Sequence, residues 1–267
     1  MHTMPRFLLL ALAALAPCAW AVELNGTLHS PNSVLPADIQ VLADRADKLP
    51  AIAGSIEHGR YRIDLPERGL FRLRVQAEGY AAEPKVIQDP APGRTIDFLV
   101  YPLPVPQAAL AQELASMGEA DQALRRNMPP PNDAAFQKRM ASEDKTREER
   151  LARIIAEHGW PLISQVGHQA VNSAWLIAQH GSDAFLKRCL PLMQAAADRH
   201  ELPLSRLALS IDRVLTNEGK EQRYGSQFQT GDDGKTRPLP IADMAGLDAR
   251  RAAMGLEPFA RYRKNFE

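Results

Sequence analysis

Only two cysteines, Cys18 and Cys189, occur in 267 residues, so neither a disulfide framework nor a paired-cysteine metal site is expected. No H-x-x-x-H or H-E-x-x-H spacing is present, so zinc is not expected from local motifs, and no cofactor is expected. The P-loop, the G-x-G-x-x-G fingerprint and the G-x-S-x-G elbow are likewise missing, and Ser226 beside Gly225 does not make an elbow. There is no surplus of charge: 32 basic residues balance 32 acidic ones, which leaves no electrostatic footprint for nucleic acid. The basic tip Arg261–Lys264 is too short to alter that. The N-terminal apolar run, Phe7 to Leu15, falls well short of the ~20 residues that span a bilayer. Internal repeats and low-complexity tracts are absent too.

That run is nevertheless informative. Arg6 precedes it and Ala19-Trp20-Ala21 follows it, which is the pattern of a secretory signal over residues 1–21 with cleavage after Ala21. The mature chain is then expected in the periplasm or the medium, with no transmembrane segment. Leu15-Ala16-Pro17-Cys18 is a poor lipoprotein box because Pro17 stands where a small residue is wanted, so lipidation of Cys18 is not expected. Losing Arg6 leaves 31 basic against 32 acidic residues. Cys189 is then alone, next to Leu190 and Leu192, and reads as a small buried hydrophobe.

Residues 22–101 carry strand patterns. Gly59–Leu65 and Phe71–Val75 alternate polar and apolar with period two, and Pro66-Glu67-Arg68-Gly69 supplies the turn between them. Thr95–Val100 reads as a last strand. A small antiparallel sandwich is expected. Gly59-Arg60-Tyr61, Leu65-Pro66, Gly69 to Leu73 and Ala77-Glu78-Gly79-Tyr80 make this part resemble the carboxypeptidase-regulatory-like, or transthyretin-like, sandwich modules. The resemblance implies an accessory role in adhesion or spacing. Pro102, Pro104 and Pro106 mark a linker at 102–106.

From 107 to 267 the pattern turns helical. Leu110, Leu114, Met117 and Leu124 open it, and three prolines break it between Asn127 and Asn132. Helices are expected at 134–158, closed by Gly159 and Pro161, then at about 166–180, 183–200 and 204–217. A hairpin from Tyr224 to Ile241, turning at Asp233-Gly234, and a last helix at 243–254 capped by Gly255 complete the chain. The fold class is therefore α+β, a β-sandwich followed by a mainly helical domain with a hairpin insert.

The helix at 166–180 holds the first candidates. At 100° per residue Asn172, Trp175 and Gln179 each fall within about 40° of His168 and share a stripe with it, opposite an apolar face of Ala170, Val171, Ala174, Ile177 and Ala178. A tryptophan among polar groups is out of place in open solvent. Either a second layer of protein covers the stripe or it lines a cleft. His180 lies about 18 Å from His168 along a straight helix, so the two cannot share one ion or one proton relay. In the helix at 204–217, Asp212 flanks the stripe Leu204, Leu207, Ala208, Ile211 and Leu215, and Arg213 points more outward. Gly219 to Gln227 is a polar loop offering Gln222, Tyr224 and Gln227.

Several of these residues also carry a resemblance. Glu113-Leu114, Met117, Asp121-Gln122 and Arg125 begin it; Gly159-Trp160-Pro161, Val166-Gly167 and Ala174-Trp175-Leu176-Ile177-Ala178-Gln179-His180 continue it. Asp212-Arg213-Val214, Gly219, Gln222 to Gln227, Pro240-Ile241, Arg250-Arg251 and Gly255-Leu256 close it. In this order they make residues 107–262 resemble a helical bacterial family of unknown function. The chain departs from it at Ser182, where an aspartate is usual, and at Ser226, where threonine is common. The resemblance implies a shared helical fold and no particular reaction.

Two function classes follow. One is an exported binding or interaction module, its polar cleft formed by His168, Trp175, Gln179, His180, Asp212, Gln222 and Tyr224, with Arg213 and Gln227 as further ligand contacts. Its partner would be a small molecule or an envelope protein. The alternative is a hydrolase of cell-envelope material, in which His168 or His180 acts as general base oriented by Asp212. A third reading is a structural envelope component with every polar group satisfied internally.

Overall fold

The computed structural model describes residues 21–126, 128–129 and 133–266. The signal run and Cys18 lie outside them, as do four of the six residues in the break at Asn127–Asn132. The fold is α+β, with an N-terminal β region and a helical C-terminal part. Ten strands come first: β1 (Ala21–His29), β2 (Gln40–Arg45), β3 (Ile52–Ala53), β4 (Ser55–Glu57), β5 (Arg60–Pro66), β6 (Leu70–Gln76), β7 (Tyr80–Ala81), β8 (Lys85–Gln88), β9 (Phe98–Leu99) and β10 (Tyr101–Pro102). They form two four-stranded sheets, ordered β4-β5-β1-β9 and β3-β2-β6-β8, and the short pair β7–β10.

The alternation read from the sequence is what buries the sheets. Tyr61, Ile63 and Leu65 of β5 point inward with Val22, Leu24 and Leu28 of β1, and they meet Val41, Ala43, Phe71, Leu73 and Ile87 of the other sheet in one core. One expectation changes. The sandwich is not wholly antiparallel, because β9 runs parallel to β1, with Leu28 opposite Phe98 and His29 opposite Leu99. The chain reaches β9 from the other sheet through 89–97, and a strand returning by such a crossover is not bound to the antiparallel sense of a hairpin. The expected strand at Thr95–Val100 is correspondingly cut to two residues, with Thr95 making a single bridge to Asn25.

The helical part comprises α1 (Ala108–Arg126), α2 (Ala134–His158), α3 (Ile163–His180), α4 (Asp183–Ala197) and α5 (Leu204–Asn217). The hairpin β11 (Phe228–Thr230) and β12 (Thr236–Pro238), then α6 (Leu247–Ala253) and α7 (Phe259–Tyr262), follow. Local chemistry sets most of these limits. Asp133 caps α2 by accepting the Phe136 N–H, and Gly159 ends it at φ 76°. The Ser182 hydroxyl caps α4 by accepting the Phe185 N–H. The expected helix at 243–254 is split: Asp243, in a left-handed conformation, caps a 3-10 turn at Met244–Gly246 before α6 begins. α7 and the 3-10 turn Arg263–Phe266 lie beyond any expected element. They form because Phe259, Tyr262 and Phe266 gather on Phe228 of the hairpin, the Phe228 and Phe266 rings stacking at 4.0 Å.

α3 is the centre of the second core. Gly167 breaks its first turn at φ 80°, ψ 164°, so the regular helix starts one residue later. α1 packs on it so closely that a Cβ on Gly118 would sit 2.5 Å from the Cβ of Ser173. Leu99, Tyr101 and Val105 reach from the end of the β region into this core. The prolines between are held in place: Pro102 pairs with Tyr80, and the Leu103 N–H donates to the Gly79 carbonyl at 2.8 Å. No helix among the described residues is long and apolar enough to cross a membrane.

Candidate functional site

The polar stripe of α3 is covered by protein. Trp175 is 5% exposed, and its indole N–H donates to the Arg206 carbonyl at 3.1 Å and the Ser210 hydroxyl at 3.0 Å, both on α5. The Arg206 guanidinium lies over the same indole, 4.2 Å from the ring centroid. At Trp175 the stripe is thus an internal seam between α3 and α5. His168 sits at the other seam, against the β region, with the Tyr101 ring at 5.7 Å and the Glu83 carboxylate at 3.7 Å. Burial pulls its pKa down to about 4 against the opposing pull of Glu83, so it is neutral at physiological pH. Cys189 is also buried, and burial pushes its thiol up to about 12, which makes it a poor nucleophile.

Asp212 is fully buried and belongs to neither histidine. Its carboxylate accepts the backbone N–H groups of Arg223 at 2.7 Å, Tyr224 at 3.0 Å and Ser226 at 3.0 Å, and the Ser226 hydroxyl at 2.9 Å. Gln222, equally buried, completes the knot. Its amide donates to the carbonyls of Gln227 and Leu239 and accepts the Gln227 N–H, while the Gln227 amide donates to the Ser226 hydroxyl. The polar loop is therefore a self-satisfied turn pinned to α5. The expected cleft does not assemble as a unit, and the expected Asp212–histidine pair is not formed. A carboxylate whose lone pairs are filled by loop donors has no capacity left to orient an imidazole.

The carboxylate that holds a histidine is Asp121 on α1, 1% exposed and 59 residues away from His180. His180 Nδ1 lies 3.1 and 3.0 Å from the two Asp121 oxygens. Gln122 donates to the same carboxylate at 2.9 Å and Arg125 at 2.6 Å. Arg125 also reaches Asp144 of α2 at 2.7 Å, and Arg147 closes in behind, 3.8 Å from Asp121. Burial alone would raise the Asp121 pKa; the hydrogen bond and charge of His180, with Gln122 and Arg125, outweigh it and hold the group below the ordinary carboxylate value. An ionised Asp121 can only accept, so the hydrogen of a neutral His180 ring belongs on Nδ1. The other ring nitrogen, Nε2, has no hydrogen-bond partner among the described residues, and the side chain is 22% exposed.

His180 stands where it does because two helix ends meet there. It closes α3, Gly181 turns the chain, and Ser182 opens α4. Glu148 of α2 ties that turn by accepting the Ser182 N–H and hydroxyl. Asp121 lies one turn beyond Gly118, at the closest approach of α1 to α3. Arg213 of α5 leans on the end of α3, its Nη1 donating to the Gln179 carbonyl at 3.3 Å. Burial lowers the Arg213 pKa, with Asp183 opposing and Arg125 adding to the shift. So His180, Gln179 and Arg213 are brought together, while His168, Trp175, Asp212, Gln222, Tyr224 and Gln227 are not part of that group. No sequence spacing links Asp121 to His180; the signals available were its i,i+4 pair with Arg125 and its place with Gln122 and Arg125 in the family resemblance.

A neutral imidazole held at Nδ1 by a buried carboxylate can accept a proton at Nε2, or a hydrogen bond from a ligand. Among the described residues, a concavity of about 400 Å³ is lined by Leu28, His29, Ser33 and His58, and one of about 150 Å³ by Asp183, Lys187, Asn217 and Glu218. Neither is lined by His180. Among the described residues no group of three His, Cys, Asp or Glu side chains is placed to hold a metal ion. No match is found among curated proteins. The family of unknown function DUF6624 matches residues 108–267, α1 through the last turn, and the chain belongs to that family.

Proposed function

We propose that the chain is an exported envelope protein whose helical part binds a small molecule or an envelope protein at His180. The signal pattern at the N-terminus supports export. The observation that carries the site is the pairing of Nδ1 of the part-exposed His180 with the buried Asp121, which leaves Nε2 without a hydrogen-bond partner among the described residues. A buried carboxylate spent on fixing one ring of a part-exposed histidine is a costly arrangement unless that ring has work to do. The test is to purify the mature chain from its native host, wild type against His180→Ala, and to identify co-purifying molecules and proteins by mass spectrometry. The reading expects a species retained by the wild type and lost from the variant. Identical retention by both would refute it.

The same pairing favours a second reading, a hydrolase of cell-envelope material with His180 as general base and Asp121 as its orienting carboxylate. Incubating the wild type with cell-wall glycopeptides separates the two. Turnover that is lost in His180→Ala would make the site an active site; unaltered glycopeptides would leave it a binding site.

A further inference from the structure

Arg213 is an incompletely answered cation. Among the described residues no carboxylate lies within 4.0 Å of it, whereas Arg125 is bonded to both Asp121 and Asp144. Its Nε is sealed from solvent without a partner, and its Nη1 has only the Gln179 carbonyl at 3.3 Å. Its Nη2 makes no hydrogen bond among the described residues and is not sealed. Gln179 repeats the pattern beside it. It is 94% buried by its 6% exposure, its side-chain oxygen is sealed without a partner, and its amide nitrogen makes no hydrogen bond among the described residues. Leaving the donors of these two side chains unanswered costs free energy that a bound anion would recover, while the Gln179 oxygen, an acceptor, would need a donor from the same ligand.

We propose that Arg213 and Gln179 anchor a carboxylate of the ligand beside His180, whose free Nε2 then meets the group next to that carboxylate. The proposal rests on the His180 reading above and names the chemistry of what it binds. The local charges favour a single negative charge. Asp121 and Asp144 are answered by Arg125 and Arg147, and Glu143 also bonds Arg147; Asp183 acts on Arg213 only from beyond ion-pair distance, so Arg213 is the one of these three arginines with no bonded carboxylate among the described residues. A carboxylate balances that cation and suits a guanidinium edge; a phosphate dianion would exceed it next to two aspartates.

The probes are N-acetylalanine, its uncharged methyl ester and inorganic phosphate, titrated into the mature chain and followed by the side-chain NMR signals of Arg213, Gln179 and His180. The expected result is saturable shifts of all three with N-acetylalanine, none with the ester, and binding to phosphate at least ten-fold weaker. Arg213→Gln should weaken N-acetylalanine at least ten-fold and Arg213→Lys should restore part of the loss, with chemical denaturation confirming that both variants are folded. Equal shifts from the ester, stronger binding of phosphate, absence of saturable shifts, or unchanged affinity in Arg213→Gln would each overturn the carboxylate anchor. A host-derived ligand lost from His180→Ala but retained by Arg213→Gln would overturn the anchor and leave the His180 site standing. A ligand retained by both variants would overturn the site as well.

Discussion

His29, the last residue of β1, lies flat on His200, just beyond α4, with ring centroids 3.6 Å apart and planes 15° apart. The contact joins the β region to the helical part, and His29 Nε2 is sealed from solvent without a hydrogen bond, 3.9 Å from Asp97. Burial lowers the His29 pKa below its ordinary 6.5, the charge of His200 lowers it further, and Asp97 opposes both. The unfolded chain therefore takes up more protons as the pH falls past 6.5, so the stack's contribution is complete above that pH and is lost below it. Thermal denaturation should show Tm falling between pH 7 and pH 5. His29→Phe, which keeps the stacking and removes the titration, should flatten part of that fall; equal slopes in both proteins would rule the explanation out.

His168 gives a sharper case, because its pKa is pulled down to about 4. Between that value and 6.5 the unfolded chain binds a proton that the folded chain refuses. Stability from this residue is whole above 6.5 and declines toward pH 4, by up to about 3 kcal/mol. An NMR pH titration should find the His168 ring signals unmoved from pH 7.5 to 5. Movement of His168 with a midpoint near 6.5 would contradict the burial argument.

Replacing Asp212 should loosen the loop without touching the His180 site. Asp212→Ala leaves the N–H groups of Arg223, Tyr224 and Ser226 unanswered in the interior. The expected loss is about 3 kcal/mol or more in a denaturant melt, with faster proteolytic cleavage between Gly219 and Gly231. A variant that melts like the wild type would show the knot to be dispensable.

Gly118 and Ser173 offer a packing test of the site's scaffold. Gly118→Ala drives a methyl group into Ser173, 2.5 Å away, and should cost about 1–3 kcal/mol as α1 and α3 part. Ser173→Gly in the same chain should recover most of it, since the two side chains then no longer compete for one space. Two separate losses that simply add would mean the helices are not in conflict at that point.

The helices were largely legible. Gly159 as a stop, the period of α5 and the hairpin turn at Asp233-Gly234 all stand where residue chemistry put them. The apolar face of α3 was legible too: Ala170, Val171, Ala174, Ile177 and Ala178 are all buried. Its polar stripe was not, because periodicity reports which residues share a side and not what covers that side. At Trp175 the stripe is sealed by Arg206 and Ser210 from a helix 31 and 35 residues further on.

What the sequence determined by itself is whatever acts within about four residues: alternation in the strands, helical period, caps and turns. Tertiary structure alone decided that Asp212 serves its own loop while Asp121 serves His180, and that β9 returns parallel to β1. A buried carboxylate must find donors, but many donors along a chain would satisfy it. Which of them arrives is set by how closely α1 can lie on α3, and that depends on the missing side chain of Gly118 against Ser173.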